Sequence, residues 1–430
     1  MTKFSYNILK LKRVSVKGLC VSLYRRNIFL WLVIVILVLP HFNPPYLNML
    51  GNVGAVIDRW RLVSLLIALL LFFNKNLIPS KLSILIVLQR LFVTFVTVIN
   101  GGQVKDVVLE MGSVMAVILL FEFFMRTCNW RVFFSAVLFC FESMICINLI
   151  TVILYPHGMY WTNSFRDTFF VSWKCWFLGY YNNLTQFLIP AYMFALLYIN
   201  ETKKRFRSYM LFIVMALSAV YLKSGGVTIS LAAITIILVL FKNWTKLFNY
   251  FTYWLSQVVF LFFSIIIGLY SGFISWALDE LLGKRNSYLG RVILWGRYAR
   301  QILLKPILGY GVPHIYVRER LSGMSWGTHA HNFILETLYR GGIINLILWA
   351  IIIIVAGRNI FQYKDRETCK IIAACFGGWC VDSYVEPFMS PFLMGMFIVA
   401  YFAGLSEDKD LTRFRLHALC RNSENRMLSI

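Results

Sequence analysis

Residues 81–99 read KLSILIVLQRLFVTFVTVI, mostly apolar after Lys81, with Gln89 and Arg90 near the centre. A helix needs roughly 20 such residues to cross a bilayer. The stretch is therefore read as a membrane-spanning helix with a charge buried at mid-depth. Eleven further runs at 25–40, 60–74, 107–125, 132–154, 186–200, 208–222, 226–241, 249–270, 332–356, 370–385 and 388–405 read the same way. The shorter ones are expected to be tilted, extended by flanking aromatics, or partly re-entrant. Composition agrees: of 430 residues, 59% are hydrophobic and 14% charged, and mean hydropathy is +0.70. A soluble domain cannot hide that much apolar surface. The expectation is an all-α integral membrane protein, a polytopic bundle of about 12 spans.

The net charge of +23 would suggest nucleic acid in a soluble protein. Here the basic residues collect in short segments beside the apolar runs, among them Arg126–Arg131, the KKRFR stretch at 203–207, Lys242–Lys246 and Gly357–Lys370. Lys and Arg collect in cytoplasmic loops, so these segments explain the charge without nucleic acid. They also set an orientation: both termini cytoplasmic, with a basic N-terminus at 1–24, one transmembrane domain at 25–405 and a basic tail at 406–430. No small-residue cleavage site follows the first apolar run, which is read as a retained signal anchor. Only Cys175 lies in a clearly external segment, so no disulfide framework is expected.

Two external segments are long, 155–185 and 271–331. The first is rich in aromatics, including Tyr160, Trp161, Trp173, Trp176, Tyr180 and Tyr181. It reads either as an interfacial belt or as a platform for sugar rings. The second breaks the orientation rule. Its Lys284, Arg285, Arg291, Arg297, Arg300, Lys305, Arg318 and Arg320 outnumber Asp279, Glu280 and Glu319. Basic residues held on the outside against that rule point to an anionic ligand.

Within it, Ser287–Lys305 has helical periodicity, and at ~100° per residue Arg297 and Arg300 share a face while Arg291 lies further round. The helix reads as an amphipathic surface element or as a diphosphate site, since guanidinium forks match phosphate oxygens. Pro306 should end it, and Gly309 and Gly311 should let the backbone turn tightly. His331 and Asn332 then open the next span, with Glu336 about one turn further on. His331 suits proton transfer or a phosphate contact, and Glu336 could orient it or be the base. A His329–His331 pair could bind metal, but no third ligand stands nearby in sequence, and none is expected. Lys223, beside Ser224-Gly225-Gly226, could add a cation. Arg90, Glu110, Glu122 and Glu142 within spans are expected to pair structurally, or to couple ions in a transporter.

In order along the chain, Gly179-Tyr180-Tyr181-Asn182-Asn183, Ser224-Gly225-Gly226, Arg291 to Trp295 with Pro306-Ile307-Leu308-Gly309-Tyr310-Gly311, and His331-Asn332 with Glu336 and Gly341-Gly342 resemble the motifs of the O-antigen ligase and Wzy-type polysaccharide polymerase superfamily. The likeness covers about 165–345. It implies a multi-span glycosyltransferase, without metal or other cofactor, acting on polyprenyl-diphosphate-linked oligosaccharides at the outer face of a bacterial cytoplasmic membrane. Flippase and chain-length regulator proteins are its implied partners beside membrane lipid. By the resemblance, Arg291 binds the diphosphate and His331 acts at the reacting centre. Lys223, Asn183, Trp295, Arg297, Arg300 and Asn332 are further candidates for substrate contact. Gly225 stands where the family often has Arg. Polymerase is the favoured reading; a ligase and a non-enzymatic flippase are the alternatives.

Overall fold

The computed structural model describes residues 16–165, 170–270, 287–322, 329–387 and 389–403. Helices occupy each of the predicted apolar runs: α1 (Val16–Val38), the short α2 (Pro45–Met49), α3 (Asn52–Asn74), α4 (Lys81–Ile99), α5 (Val104–Thr127), α6 (Trp130–Leu154), α7 (Thr185–Thr202), α8 (Phe206–Leu222), α9 (Gly225–Leu240) and α10 (Tyr250–Tyr270). After them come α11 (Ser287–Leu304), α12 (Ile315–Ser322), α13 (Phe333–Gln362), α14 (Glu367–Ser383) and α15 (Pro391–Ala403). Four of these, α4, α5, α6 and α13, are long and apolar enough to cross a membrane; α8, α9, α15 and the apolar parts of α1 and α10 are shorter. This is a helical membrane protein.

Helix α1 begins at Val16, and its apolar part begins at Asn27. The tail at 406–430 and the cations Lys284 and Arg285 lie outside the described residues. One expectation needs correction: the fold is not all-α. Tyr160–Phe165 (β1), Phe170–Trp176 (β2) and Gly179–Tyr180 (β3) form an antiparallel sheet in the order β1-β2-β3. Aromatic and β-branched residues favour such a pleated ribbon. Its register pairs Trp161 with Lys174 and Thr162 with Trp173. Successive residues of a strand face opposite ways, so exposed Trp161 and Trp173 sit on opposite faces and make no common sugar platform.

The core is aromatic. Phe121 of α5, Phe133 and Phe141 of α6, Phe194 of α7 and Phe392 of α15 are all fully buried, and their rings meet edge-on or stacked. Such pairs add about 0.5–1.5 kcal/mol each beyond burial. The charges inside the helices are paired: Glu122 with Arg126 at 3.0 Å, Glu142 with Arg207 at 2.6 Å, and Arg90 with Glu110 at 3.2 Å. These pairs match the structural reading of those residues.

One end of the bundle is built by a crossing of irregular chain. α11 stops before Pro306, and residues 306–312 thread between α4 and α13. The Tyr310 and Gly311 amides donate to the carbonyls of Tyr339 and Arg340 at 2.8 and 3.0 Å, and Ile343 donates to Pro306. α13 is broken there to receive them: Gly341 and Gly342 leave helical geometry, Gly342 at φ +60. A Cβ on Gly342 would strike the Ile307 carbonyl. Only glycine suits both the backbone angle and the approach.

Candidate functional site

Glu386 organises the site. It follows the end of α14, where the amides of Val385 and Glu386 both donate to the Asp382 carbonyl. Its side chain is buried, and four groups from distant parts of the chain converge on it. Oε1 accepts from Asn182 Nδ2 at 2.9 Å and from Arg291 Nη2 at 3.1 Å. Oε2 lies 3.2 Å from His331 Nδ1 and 3.9 Å from His329 Nε2. Burial alone would raise the pKa of this carboxyl; His331, His329 and Arg291 outweigh it and hold the group below the usual carboxylate range. A carboxylate surrounded by donors stays ionised.

The two histidines differ in role. His329 is driven down to about 3, by burial first and by neighbouring His331 second. It is therefore neutral, and its Nδ1 accepts from the His331 amide at 3.3 Å. His331 adopts φ +47, in the left-handed region. A non-glycine residue there costs on the order of 1–3 kcal/mol and tends to occur at functional positions. The turn brings the His331 ring against Glu386.

Glu336 belongs to a different set of bonds. It is fully buried and receives Arg318 Nη1 at 3.0 Å, Arg340 Nε at 2.6 Å and the Ala330 amide at 2.9 Å. The sequence left Glu336 to orient His331 or to be the base; the carboxylate found 3.2 Å from His331 Nδ1 is Glu386, from the far end of the chain. Glu336 fixes the backbone just before His331 and anchors two arginines.

The other expected residues are distributed unevenly. Arg291 enters the cluster; Arg297 on the same helix is half-buried and Arg300 is exposed. Trp295 is fully buried edge-on against Tyr384, so it is core rather than a sugar contact. Asn332 is also buried. Its Oδ1 caps α13 at the Leu335 amide, and its Nδ2 donates to the Tyr384 carbonyl. Both of its polar ends are thus committed to structure. Asn183 lies beneath Gly179, and its neighbour Asn182 reaches the cluster instead. Lys223 is exposed at the end of α8. The Ser-Gly-Gly turn reaches the site through Gly226, which abuts Asp382 Oδ1, an atom that also accepts from Thr185.

The fold also supplies the third potential ligand that sequence spacing lacked. His329, His331 and Glu386 each offer an atom within 4.8 Å of the others. That trio could hold a cation in number of ligands. Arg291 Nη2, 3.1 Å from Glu386 Oε1, sets a positive charge beside that trio.

Because Glu386 ties Arg291 to His331, Glu386→Gln should loosen both. We expect a loss of about tenfold or more in any turnover that depends on this pair. Steady-state rates on the natural substrate, with thermal unfolding as a control for folding, would check this.

Part of the chain is similar to known proteins. Residues 210–350 match the family described as O-antigen ligase. That segment contains Arg291, His331, Glu336 and Arg340, and leaves Asn182, Asp382 and Glu386 outside. A Rickettsia conorii protein whose name marks it provisionally as a polysaccharide ligase is 31% identical over 108 residues. The alignment covers 23% of this chain and 26% of that protein, so the chain spans about a quarter of that relative's length. Over residues 210–350, the chain is similar to the O-antigen ligase family.

Proposed function

We propose that the protein is a glycosyltransferase that joins polyprenyl-diphosphate-linked oligosaccharide repeat units at the outer face of a bacterial cytoplasmic membrane. The observation that carries this reading is the shared carboxylate: Glu386 holds an arginine and a histidine side by side. Transfer from a lipid diphosphate needs that pair. The acceptor hydroxyl attacks the anomeric carbon of the donor sugar. The bond from that carbon to the phosphate oxygen breaks, and its electron pair leaves on the diphosphate. Arg291 stabilises this developing charge more than the ground state. The hydroxyl proton passes to the His331 imidazole, and Glu386 stabilises the imidazolium. Neither a nucleotide sugar nor a metal ion enters this scheme.

Arg291 presents a planar guanidinium fork, which Lys cannot reproduce. Arg291→Lys should therefore retain less than about a tenth of the wild-type rate. The measurement is polymer length in cells carrying the variant, with protein level in the membrane as control. Normal chain lengths would remove Arg291 from the site.

A second reading is a ligase that moves finished polysaccharide from the same type of donor to a lipid core. The family description and the name of the Rickettsia relative favour it. Both readings use the same chemistry and differ in the acceptor. In cells lacking the protein, single repeat units on lipid would support the polymerase. Long chains stranded on the polyprenyl carrier would support the ligase.

A further inference from the structure

Three of the four long apolar helices carry charges that meet away from Glu386. Arg90 of α4 is 5% exposed, and one of its nitrogens, Nη1, lies 3.2 Å from Glu110 of α5. Its Nε and Nη2 are buried with no hydrogen-bond partner among the described residues. Arginine does not relieve this by losing a proton. Inside a membrane bundle an unsatisfied guanidinium edge is costly, and such groups face a partner or a wet cavity. The single carboxylate it touches is itself 40% exposed, so Glu110 satisfies it only in part.

A second guanidinium stands nearby. α4 and α13 pack together here: Gln89 donates to Asn345 at 2.8 Å, and Phe92 lies against Gly341. Arg340 sits at the glycine break of α13, with its carbonyl fixed by the Gly311 amide. Electrostatically it is coupled to both Arg90 and Glu110. Its Nε is taken by Glu336, which it shares with Arg318, and its side chain remains 20% exposed. Arg90 keeps two buried nitrogens without a partner among the described residues, and Arg340 shares its carboxylate with Arg318. The arrangement has fixed guanidinium geometry and partial access.

We propose that Arg90 and Arg340 form a second anion site, separate from the Arg291 cluster, that binds the phosphate head group of a membrane amphiphile. Two sources share that chemistry, a polyprenyl diphosphate and an anionic phospholipid. Guanidinium forks bind either through charge-assisted bonds. Glu110 competes with the ligand for Arg90. The inference rests on the geometry of α4, α5 and α13 and does not need the transfer reaction proposed above.

The test uses the full-length protein in phosphatidylcholine nanodiscs, with bound lipid counted by native mass spectrometry. One arm adds undecaprenyl diphosphate and the other adds phosphatidylglycerol. In at least one arm, a bound lipid should survive Arg291→Ala and weaken at least tenfold in Arg340→Gln. Glu110→Gln should tighten it several-fold, because the competing carboxylate is gone. That second variant separates ligand binding from a purely structural Arg90–Glu110 tie, whose loss would weaken binding or leave it unchanged. Tightening seen only with undecaprenyl diphosphate would make the site a substrate subsite; with phosphatidylglycerol it would be a lipid anchor. Wild-type binding of both lipids by Arg340→Gln, or no tightening in Glu110→Gln, would overturn the proposal.

Discussion

His331→Ala should lower glycosyl transfer by about a hundredfold to ten-thousandfold, the range a positioned acid–base group contributes, while the protein still inserts and folds. The acceptor hydroxyl has to shed its proton as it attacks. His331 is the group proposed to accept it. Its Nδ1 lies 3.2 Å from Glu386 Oε2, and its backbone is strained into the left-handed region. The neighbouring His329 provides the contrast. It is kept neutral and accepts a bond from the His331 amide, so His329→Ala should cost less. Rates of product formation in membranes containing equal amounts of each variant would check both. A His331→Ala protein that works at wild-type speed would move the base elsewhere.

Glu336→Ala should be the most destabilising substitution in the site, by about 3–5 kcal/mol, the usual cost of breaking a buried ion pair from one side. Glu336 is fully buried and serves two guanidiniums and one amide at once. Removing it leaves the charges of Arg318 and Arg340 without their shared carboxylate and frees the backbone before His331. Denaturant unfolding in detergent measures this. Activity should fall in step with the folded fraction. Full stability with abolished activity would instead return Glu336 to a chemical role, the one its sequence position suggested.

The helices were legible because apolar runs and flanking basic residues are local signals. Ser287–Leu304, the end at Pro306 and the turns at Gly309 and Gly311 could be read the same way. The sheet at 160–180 was not, since its strands are short and lie in a segment whose aromatics also suit a membrane interface. In the site, Arg291 and His331 stood out from their neighbours' chemistry. Glu386 did not, because its link to them is made only by the packing of α14 against the rest of the bundle. A signal was present: Asp382 and Glu386 are the only acids in the apolar stretch 371–405, and isolated intramembrane acids mark functional positions. Trp295 and Asn332 misled for the opposite reason. Their residue types suit sugar binding, but the fold spends one on the core and the other on a helix cap.

The central claim is that this site transfers sugar from a lipid diphosphate to a second lipid-linked repeat unit. The most direct measurement is to incubate the purified full-length protein with polyprenyl-diphosphate-linked oligosaccharide alone and resolve the products by size. The account predicts a ladder of longer lipid-linked glycans with matching release of polyprenyl diphosphate, absent in His331→Ala. Unchanged donor under conditions where the protein is folded and binds it would contradict the account.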